Sequence, residues 1–347
     1  MNGAKIVMRG CASHVPEKVV SNQFFNELLK EDVDTWLRTN LTIENRRWCS
    51  ETESTADLCF HAIQNLMEKS PVSVGQIDLL IVATDTPEFI SPATATVVQH
   101  RLGATKAACF DINNACAGFV TAMETACKFL LADPNYQHAV VVGAYAMSKY
   151  LDLTDKKTVT LFADGAGSVL LSKVSANNRQ HAKTDAPVFS DENHRGYVGG
   201  MLHTRGQYND WMGIYGGGTR HPSTLESIGR GEHRIRFVQR FPPELNPAIW
   251  SEMIPTLLAQ HDLRPVDVSM FLFTQININS IRETMRLLGQ PMEKTHCIMS
   301  EFGYTGSACL PMALDSAIKG GKLKSGDLVV FMGSGGGLSF GVSAIYL

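Results

Sequence analysis

Short apolar runs bounded by polar residues recur along the chain and predict buried strands. In the first half they cover residues 79–84 and 139–143, and in the second half residues 270–274 and 328–331. Runs this short are typical of strands buried on both faces rather than of helices. Helix-like stretches separate them. The alternation predicts an α/β protein with a mostly parallel sheet in each half.

The order of these features repeats. A polar turn at residues 110–118 precedes a helix-like stretch, and a similar turn at 301–309 does so about 190 residues later. Two long halves with one order indicate duplication rather than a solenoid. We therefore expect a first half over residues 1–174 and a second half over 241–347. The polar, glycine-rich residues 175–240 would be connecting loops, either a plain surface connection or loops that cover a site.

Composition narrows the class of protein. The chain has 347 residues, of which 44% are hydrophobic and 19% charged, which excludes disorder and exceeds the usual size of a single core. A net charge of −3 argues against nucleic-acid binding through global positive charge. No apolar run reaches about 18 residues, so we expect no membrane span. The first nine residues lack the apolar stretch of a secretory signal.

The eight cysteines show neither C-x-x-C pairs nor zinc-like spacing, so we expect no metal site. Without a secretory signal, they predict reduced thiols in a cytoplasmic protein. Cys116 differs from the others. Apolar residues at helical spacing follow it, which places it at or just before a helix N-terminus, where free N–H groups favour a thiolate. On residue chemistry alone, Cys116 is either a nucleophile or a packing residue.

The residues around Cys116 resemble a known active-site motif. The run N-A-C-A-G-F at residues 114–119 is similar to that of the class III β-ketoacyl-acyl-carrier-protein synthases, members of the thiolase-like superfamily. Residues 34–37, 162–167 and 335–337 resemble the same family in order and spacing. The resemblance covers nearly the whole chain and is weakest over 175–240. It implies a thiolase-like fold of two duplicated αβαβα halves.

The resemblance also implies covalent catalysis. Cys116 matches the nucleophile that attacks an acyl thioester, usually acyl-CoA, and the backbone N–H groups of Cys116 and Gly336 match the oxyanion hole. The acyl group would then condense with a malonyl thioester on acyl carrier protein, in fatty-acid or secondary-metabolite biosynthesis. No cofactor is implied beyond these thioester substrates.

Two positions depart from the family pattern. Condensing members carry a histidine in H-Q-A-N and an asparagine in G-N-T-S, whose side chains stabilise the enolate left by decarboxylation. Here Thr274 and Tyr304 occupy those positions, and flanking Gln275 and Gly303 hold the register. Both replacements are hydroxyl donors, but neither carries a positive charge near neutral pH as histidine can. They are the candidate catalytic residues of an altered centre.

Three functions are compatible with this centre. The first is a ketosynthase with a modified Thr/Tyr site, and the second is an acyltransferase of the same fold whose acceptor needs no decarboxylation. The third is a catalytically weakened partner subunit of a ketosynthase heterodimer. The intact motif around Cys116 argues against the third, because an idle site has no reason to keep a thiol at a helix start.

The resemblance also suggests how substrates and partners bind. Trp36 matches a tryptophan that stacks on the CoA adenine, and Lys156 stands at the arginine position opposite it, with charge but no planar stacking. Asn277 matches the asparagine near the pantetheine arm. Phe89 lies in a segment that resembles the one lining the partner's acyl pocket, which implies a homodimer. An acidic carrier protein would need a local basic patch.

Overall fold

The computed structural model of the chain describes residues 4–175 and 196–347. Strands alternate with helices along most of this length, as the apolar pattern predicts. The strands, in chain order, are β1 (Ala4–His14), β2 (Val19–Ser21), β3 (Asn45–Arg47), β4 (Leu79–Ala83), β5 (Ala108–Ile112), β6 (His138–Ala146), β7 (Asp164–Ser175), β8 (Tyr197–Thr204), β9 (Met212–Gly213), β10 (Arg236–Phe237), β11 (Met270–Phe273), β12 (Leu328–Gly335) and β13 (Ser339–Tyr346).

The helices fill the connections between these strands. In chain order they are α1 (Asn22–Leu29), α2 (Asp34–Leu41), α3 (Thr55–Met67), α4 (Thr94–Leu102), α5 (Gly118–Ala132), α6 (Lys156–Val159), α7 (Leu225–Gly229), α8 (Leu245–Ala259), α9 (Ile278–Leu287), α10 (Met299–Phe302) and α11 (Cys309–Lys319). The four apolar runs predicted as strands are β4, β6, β11 and β12. They are buried along almost their whole length.

The two large sheets show the predicted duplication. The first has the order β1-β7-β6-β4-β5, and the second has the order β8-β13-β12-β11. Each contains a parallel pair, β4 with β6 and β11 with β12, followed by two antiparallel pairings. The counterpart of β5 in the second half is reduced to a single parallel bridge between Phe271 and Thr295.

The prediction of mostly parallel sheets is wrong. Only two of the four pairings in the first sheet and one of three in the second are parallel. The physical reason in the second half is the connection from β12 to β13, which is residues 336–338 alone. Parallel neighbours need a crossover connection of a dozen or more residues. A link of this length therefore forces antiparallel pairing.

The predicted connecting region, residues 175–240, is not all loop. Its part over 176–195 lies outside the described residues, but Tyr197–Thr204 forms β8, the edge strand of the second sheet. The second half therefore begins before residue 241. The sequence of β8 contains paired glycines and no apolar run, and its strand conformation comes from hydrogen bonding to β13 rather than from local preference.

Helix α5 lies in the core between the sheets and packs against strands of both. Among the described residues, the stretch Ala115–Ala132, which contains α5, is long and apolar enough to cross a membrane by length and composition, and 61% of it is buried inside the fold. Burial between two apolar sheets accounts for that composition. The same placement puts the start of α5 at the junction of the two halves.

Candidate active site

Cys116 lies in a tight turn between β5 and α5. The turn, Ala115–Ala117, is a single 3₁₀ turn that runs directly into the helix, as the sequence predicts. Ala115 has φ +44°, the left-handed region that a residue with a Cβ rarely adopts. Such strain persists only where surrounding contacts enforce it, and it occurs often at active sites. Cys116 is buried within this turn, with only 3% of the residue exposed.

The end of β12 enforces the position of this turn. A Cβ at Gly335 would lie 2.6 Å from the Cys116 nitrogen and 2.8 Å from the Ala117 nitrogen, so only glycine allows the approach. The next residue, Gly336, lines the same cavity as Cys116. The backbone of β12 and of the turn after it therefore stands beside Cys116, and the oxyanion hole formed by Cys116 and Gly336 stays a prediction.

Tyr304 lines the same cavity as Cys116, and hydrogen bonding from its hydroxyl acts on the pKa of the Cys116 thiol. This bond lowers the pKa of Cys116, but burial has the larger effect and raises the pKa well above its ordinary value, helped by the negative charge of Asp85. The expectation that the helix start favours a thiolate is thus outweighed by burial. At rest the thiol is protonated, and it must lose its proton during acyl transfer.

Thr274 does not reach this site. Its side chain is buried at the end of β11, and its Oγ1 accepts a hydrogen bond of 2.8 Å from the Ser334 N–H. Ser334 lines the cavity beside Cys116, whereas Thr274 does not. The structure therefore brings together Tyr304 and Cys116 but not the Thr274 hydroxyl. That hydroxyl instead bonds to the backbone of β12 at Ser334.

One cavity of about 280 Å³ gathers most of the predicted site residues. We call it the Trp36 cavity. The predicted residues that line it are Trp36, Cys116, Asn277, Tyr304 and Gly336. Its other walls are largely apolar, and they include Leu41, Leu161, Met212, Phe237, Phe241, Leu245, Ile276 and Leu338. Asn277 is the N-cap of α9, where its Oδ1 accepts a hydrogen bond from Asn279.

Lys156 lines an adjoining cavity of about 650 Å³, which we call the Lys156 cavity. It shares Trp36, Leu161 and Phe237 with the Trp36 cavity. The Lys156 ammonium lies 2.8 Å from a carboxylate oxygen of Glu31, and both side chains are about half exposed. Exposed ion pairs contribute little stability, so a phosphate could displace Glu31 at small cost. Lys156 thus lies near Trp36, as predicted, but with an acidic partner that the sequence did not reveal.

Phe89 lies apart from these cavities. It is 52% exposed, and its neighbour Ile90 is 87% exposed. Neither residue lines a cavity next to Cys116 in its own chain. Two adjacent exposed apolar side chains are what a surface that meets another molecule would present.

Sequence reasoning missed Asp85. This residue follows β4 by two positions and lines a third cavity, of about 250 Å³, which we call the Asp85 cavity. Cys116, Met212 and Gly336 line both this cavity and the Trp36 cavity, so Cys116 stands between the two. Burial raises the pKa of Asp85 to about 6. The available signal was its position, a carboxyl just beyond the carboxyl end of a buried parallel strand.

All eight cysteines are free thiols. Within residues 4–175 and 196–347, no group of three or more His, Cys, Asp or Glu side chains is arranged to hold a metal ion. The groups around Cys116 include the Tyr304 hydroxyl, the Asp85 carboxyl group and the backbone of Gly336.

Comparison with known proteins agrees with this geometry. Family models match residues 110–187 (3-oxoacyl-[acyl-carrier-protein (ACP)] synthase III) and residues 258–347 (the C-terminal part of the same synthase). The β-ketoacyl-[acyl-carrier-protein] synthase III of Syntrophomonas wolfei is 32% identical over 341 residues, covering 97% of this chain and 96% of that protein. That of Limosilactobacillus reuteri is 34% identical, covering 95% of each.

Solved structures show the same similarity. The crystal structure of 3-oxoacyl-[acyl-carrier-protein] synthase III from Aquifex aeolicus superposes with a TM-score of 0.82 at 27% identity, covering 99% of this chain and 100% of that one. The priming β-ketosynthase of the R1128 polyketide pathway gives a TM-score of 0.86 at 23% identity, covering 100% and 98%. At that identity the second likeness concerns the thiolase-like fold alone.

Proposed function

The chain belongs to the β-ketoacyl-[acyl-carrier-protein] synthase III family of acyltransferases, and we propose that it condenses an acyl group held on Cys116 with a second thioester. The observation that carries this proposal is the position of Cys116. It stands at the meeting point of two cavities, with the Tyr304 hydroxyl on its sulfur and the backbone of Gly336 beside it.

The first half-reaction loads the enzyme. The Cys116 thiol loses its proton, and the thiolate attacks the carbonyl carbon of an acyl-CoA, forming a carbon–sulfur bond and a tetrahedral oxyanion. The N–H groups of Cys116 and Gly336 would stabilise that oxyanion, and donors of this kind are each worth about 3–4 kcal/mol in a transition state. The intermediate collapses by expelling CoA thiolate, which takes up a proton, and the acyl group remains on Cys116.

The second half-reaction is condensation. A malonyl thioester on acyl carrier protein loses CO₂, and the resulting enolate attacks the acyl carbonyl, forming a carbon–carbon bond and releasing the Cys116 thiolate. The Tyr304 hydroxyl, which borders the Trp36 cavity, would donate to the thioester oxygen of that enolate. The resting hydrogen bond to Cys116 would exchange for this one once the sulfur is acylated.

A second candidate is acyl transfer without decarboxylation. The position of Thr274 favours it, because the hydroxyl that replaces the family's histidine bonds to Ser334 and stays out of the cavity. One enolate donor instead of two slows decarboxylation by orders of magnitude if nothing replaces it. Loading needs neither donor. The third possibility, a weakened partner subunit, would leave Cys116 without an acyl group.

The substrate and partner assignments are also proposals. Trp36, 56% exposed between the Trp36 and Lys156 cavities, suits stacking against the adenine of CoA, and Lys156 suits its phosphates. Exposed Phe89 and Ile90 support a homodimer whose surface includes this segment. We propose acyl carrier protein as the second partner, no cofactor beyond the thioesters, and a cytoplasmic location, which the free thiols support.

One experiment separates these functions. The acyl-loaded protein is mixed with malonyl-acyl carrier protein, and ¹⁴CO₂ release and the β-keto product are measured. Condensation predicts both at equal amounts. An acyl-enzyme that gives neither, but transfers its acyl group to another acceptor, supports the second candidate. A protein that never loads overturns both enzymatic proposals.

A further inference from the structure

The Asp85 cavity contains two polar atoms without partners. The Oδ1 atom of Asp85 and the hydroxyl oxygen of Tyr215 are both buried, and neither has a hydrogen-bond partner among the described residues. Both residues line this cavity together with Cys116. Leaving a buried polar group without a hydrogen-bond partner lowers stability by about 1–3 kcal/mol. Such groups usually bind water or a ligand.

The other polar residues that line the Asp85 cavity are also consistent with a bound ligand. Asn113 and Asn209 also border the cavity. Within residues 4–175 and 196–347, no lysine, arginine or histidine lines it, so the Asp85 carboxylate faces no cation there. With a pKa raised to about 6 by burial, Asp85 is mostly ionised at neutral pH and can only accept hydrogen bonds.

Asp85 does not favour ionisation of Cys116. Its negative charge raises the pKa of Cys116 and so opposes formation of the thiolate. Because Asp85 borders the cavity and its Oδ1 atom has no hydrogen-bond partner among the described residues, the carboxylate is available to a group that occupies the cavity.

The Trp36 and Asp85 cavities meet at Cys116, so each would hold a different part of the substrate. The Trp36 cavity is mostly apolar and reaches the Lys156 cavity, so it suits the pantetheine arm and nucleotide of CoA. The Asp85 cavity lies on the other side of the shared residues Cys116, Met212 and Gly336. The acyl group of a thioester with its carbonyl at Cys116 would then enter the Asp85 cavity.

From this arrangement, and resting on the proposed function, we infer that the enzyme selects a small acyl group with a hydrogen-bond donor, a hydroxyl or an amino group, on one of its first carbons. Asp85 would accept from that donor, and Tyr215 would pair with the same group. The donor belongs near the carbonyl because Asp85 and Cys116 line the same cavity of about 250 Å³. A plain alkyl group would leave the carboxylate buried and unpaired, a penalty that sites built for a polar group use to reject apolar analogues.

The test uses three acyl-CoA probes of equal shape. These are 3-methylbutyryl-CoA, 3-hydroxybutyryl-CoA and 3-aminobutyryl-CoA, the last two as both enantiomers. Loading rates of the wild-type protein are measured by intact mass. We expect one hydroxyl or amino enantiomer to load at least about tenfold faster than the methyl probe, roughly the effect of one hydrogen bond to a charged group. Faster amino than hydroxyl loading would mean that Asp85 recognises charge as well as the donor.

Variants of Asp85 and Tyr215 test whether these residues cause the preference for acyl groups with a hydrogen-bond donor. Asp85→Leu should abolish the preference for the donor and speed methyl loading, whereas Asp85→Asn should retain the hydroxyl preference and lose any amino preference. Tyr215→Phe should reduce the preference by a few-fold. Equal or faster methyl loading by the wild-type protein overturns the inference while leaving the proposed function intact. Failure of all the probes, together with acetyl-CoA, to load Cys116 overturns both.

Discussion

Two turns of the molecule have nearly the same backbone and different chemistry. Ala115–Ala117 leads into α5 in the first half, and Gly306–Ala308 leads into α11 in the second. Their first residues have φ +44° and +51°, both in the left-handed region. Cys116 and Ser307 are therefore equivalent residues of a duplicated structure. Each turn also meets a glycine of a central strand from the opposite half, Gly335 in β12 and Gly143 in β6.

The two equivalent side chains have opposite surroundings. The Ser307 hydroxyl oxygen lies 2.9 and 2.8 Å from the Ala83 and Ala144 carbonyl oxygens, which share its one proton, and the residue is fully buried. Cys116 instead borders two cavities and receives a hydrogen bond from Tyr304. The comparison shows that the strained turn alone does not make a nucleophile. Cys116 has cavities on both sides of its turn, and we propose that these make it the nucleophile, whereas the Ser307 hydroxyl is taken up by two backbone carbonyl oxygens.

We expect the largest difference between the two turns when the Cys116 and Ser307 side chains are each replaced by alanine. Cys116→Ala should abolish acyl loading, because no other group supplies the carbon–sulfur bond, and should leave stability nearly unchanged. Ser307→Ala should keep loading but lower the free energy of unfolding by about 1–3 kcal/mol, since two buried carbonyl oxygens lose the donor that they share. Intact mass and urea unfolding measure the two effects. Loss of loading in a folded Ser307→Ala protein would break the comparison.

Replacing Gly335 and Gly143 by alanine should sharpen the comparison between the two turns. A Cβ at Gly335 pushes on the Cys116 and Ala117 nitrogens, so Gly335→Ala should reduce loading about 10²–10³-fold, the loss typical of a displaced oxyanion donor. Gly143→Ala is the matched control, where the added Cβ would overlap the Ser307 carbonyl oxygen instead. We expect that variant to lose mainly stability. Similar loading by Gly335→Ala and wild type would show that this approach does not position the nucleophile.

Tyr304→Phe should have a smaller effect with a defined sign. The Tyr304 hydrogen bond lowers the pKa of Cys116, so its removal raises that pKa and reduces the thiolate fraction at a given pH. Alkylation of Cys116 by iodoacetamide should be slower than in the wild-type protein at pH 8, and its pH profile should move to higher pH.

Tyr145→Phe is the control for this change. Its ring centroid lies 6.4 Å from that of Tyr304, and its buried hydroxyl has no hydrogen-bond partner among the described residues. We expect the pH profile of Cys116 alkylation to stay in place in this variant. An equal shift in both variants would mean that general polarity, not the bond to the sulfur, sets the reactivity.

Thr274→Val should have the smallest effect on loading. The Ser334 N–H loses its acceptor, so the free energy of unfolding should fall by about 1–3 kcal/mol, while loading stays within about threefold of wild type. Malonyl decarboxylation, measured as CO₂ release from the loaded enzyme, should fall no more than loading does. A selective loss of CO₂ release would show that the Thr274 hydroxyl takes part in condensation after all.

Much of the fold and part of the site could be predicted from sequence. The buried strands are short apolar runs, and the turns before α5 and α11 repeat a recognisable order. The sequence could not show that residues 197–204 form a strand, because that pairing depends on β13 and not on local composition. Strand direction was likewise missed, since it depends on the lengths of connections.

The family resemblance implied that Trp36, Asn277, Tyr304 and Gly336 lie near Cys116, and these residues do line one cavity with it. It could not show that Thr274 is turned toward Ser334. That orientation depends on which backbone N–H groups the neighbouring strand leaves unpaired. Nor could it identify Asp85, whose importance lies in having no partner, a property that exists only in three dimensions.

The most direct test is to find which cysteine carries the acyl group. The protein is incubated with acyl-CoA probes that include acetyl-CoA and 3-hydroxybutyryl-CoA, digested at low pH, and mapped by tandem mass spectrometry. We predict one acyl group per chain, on Cys116, absent from Cys116→Ala. An acyl group on any of the other seven cysteines, or no acyl group from any probe, would contradict the assignment of Cys116 as the nucleophile.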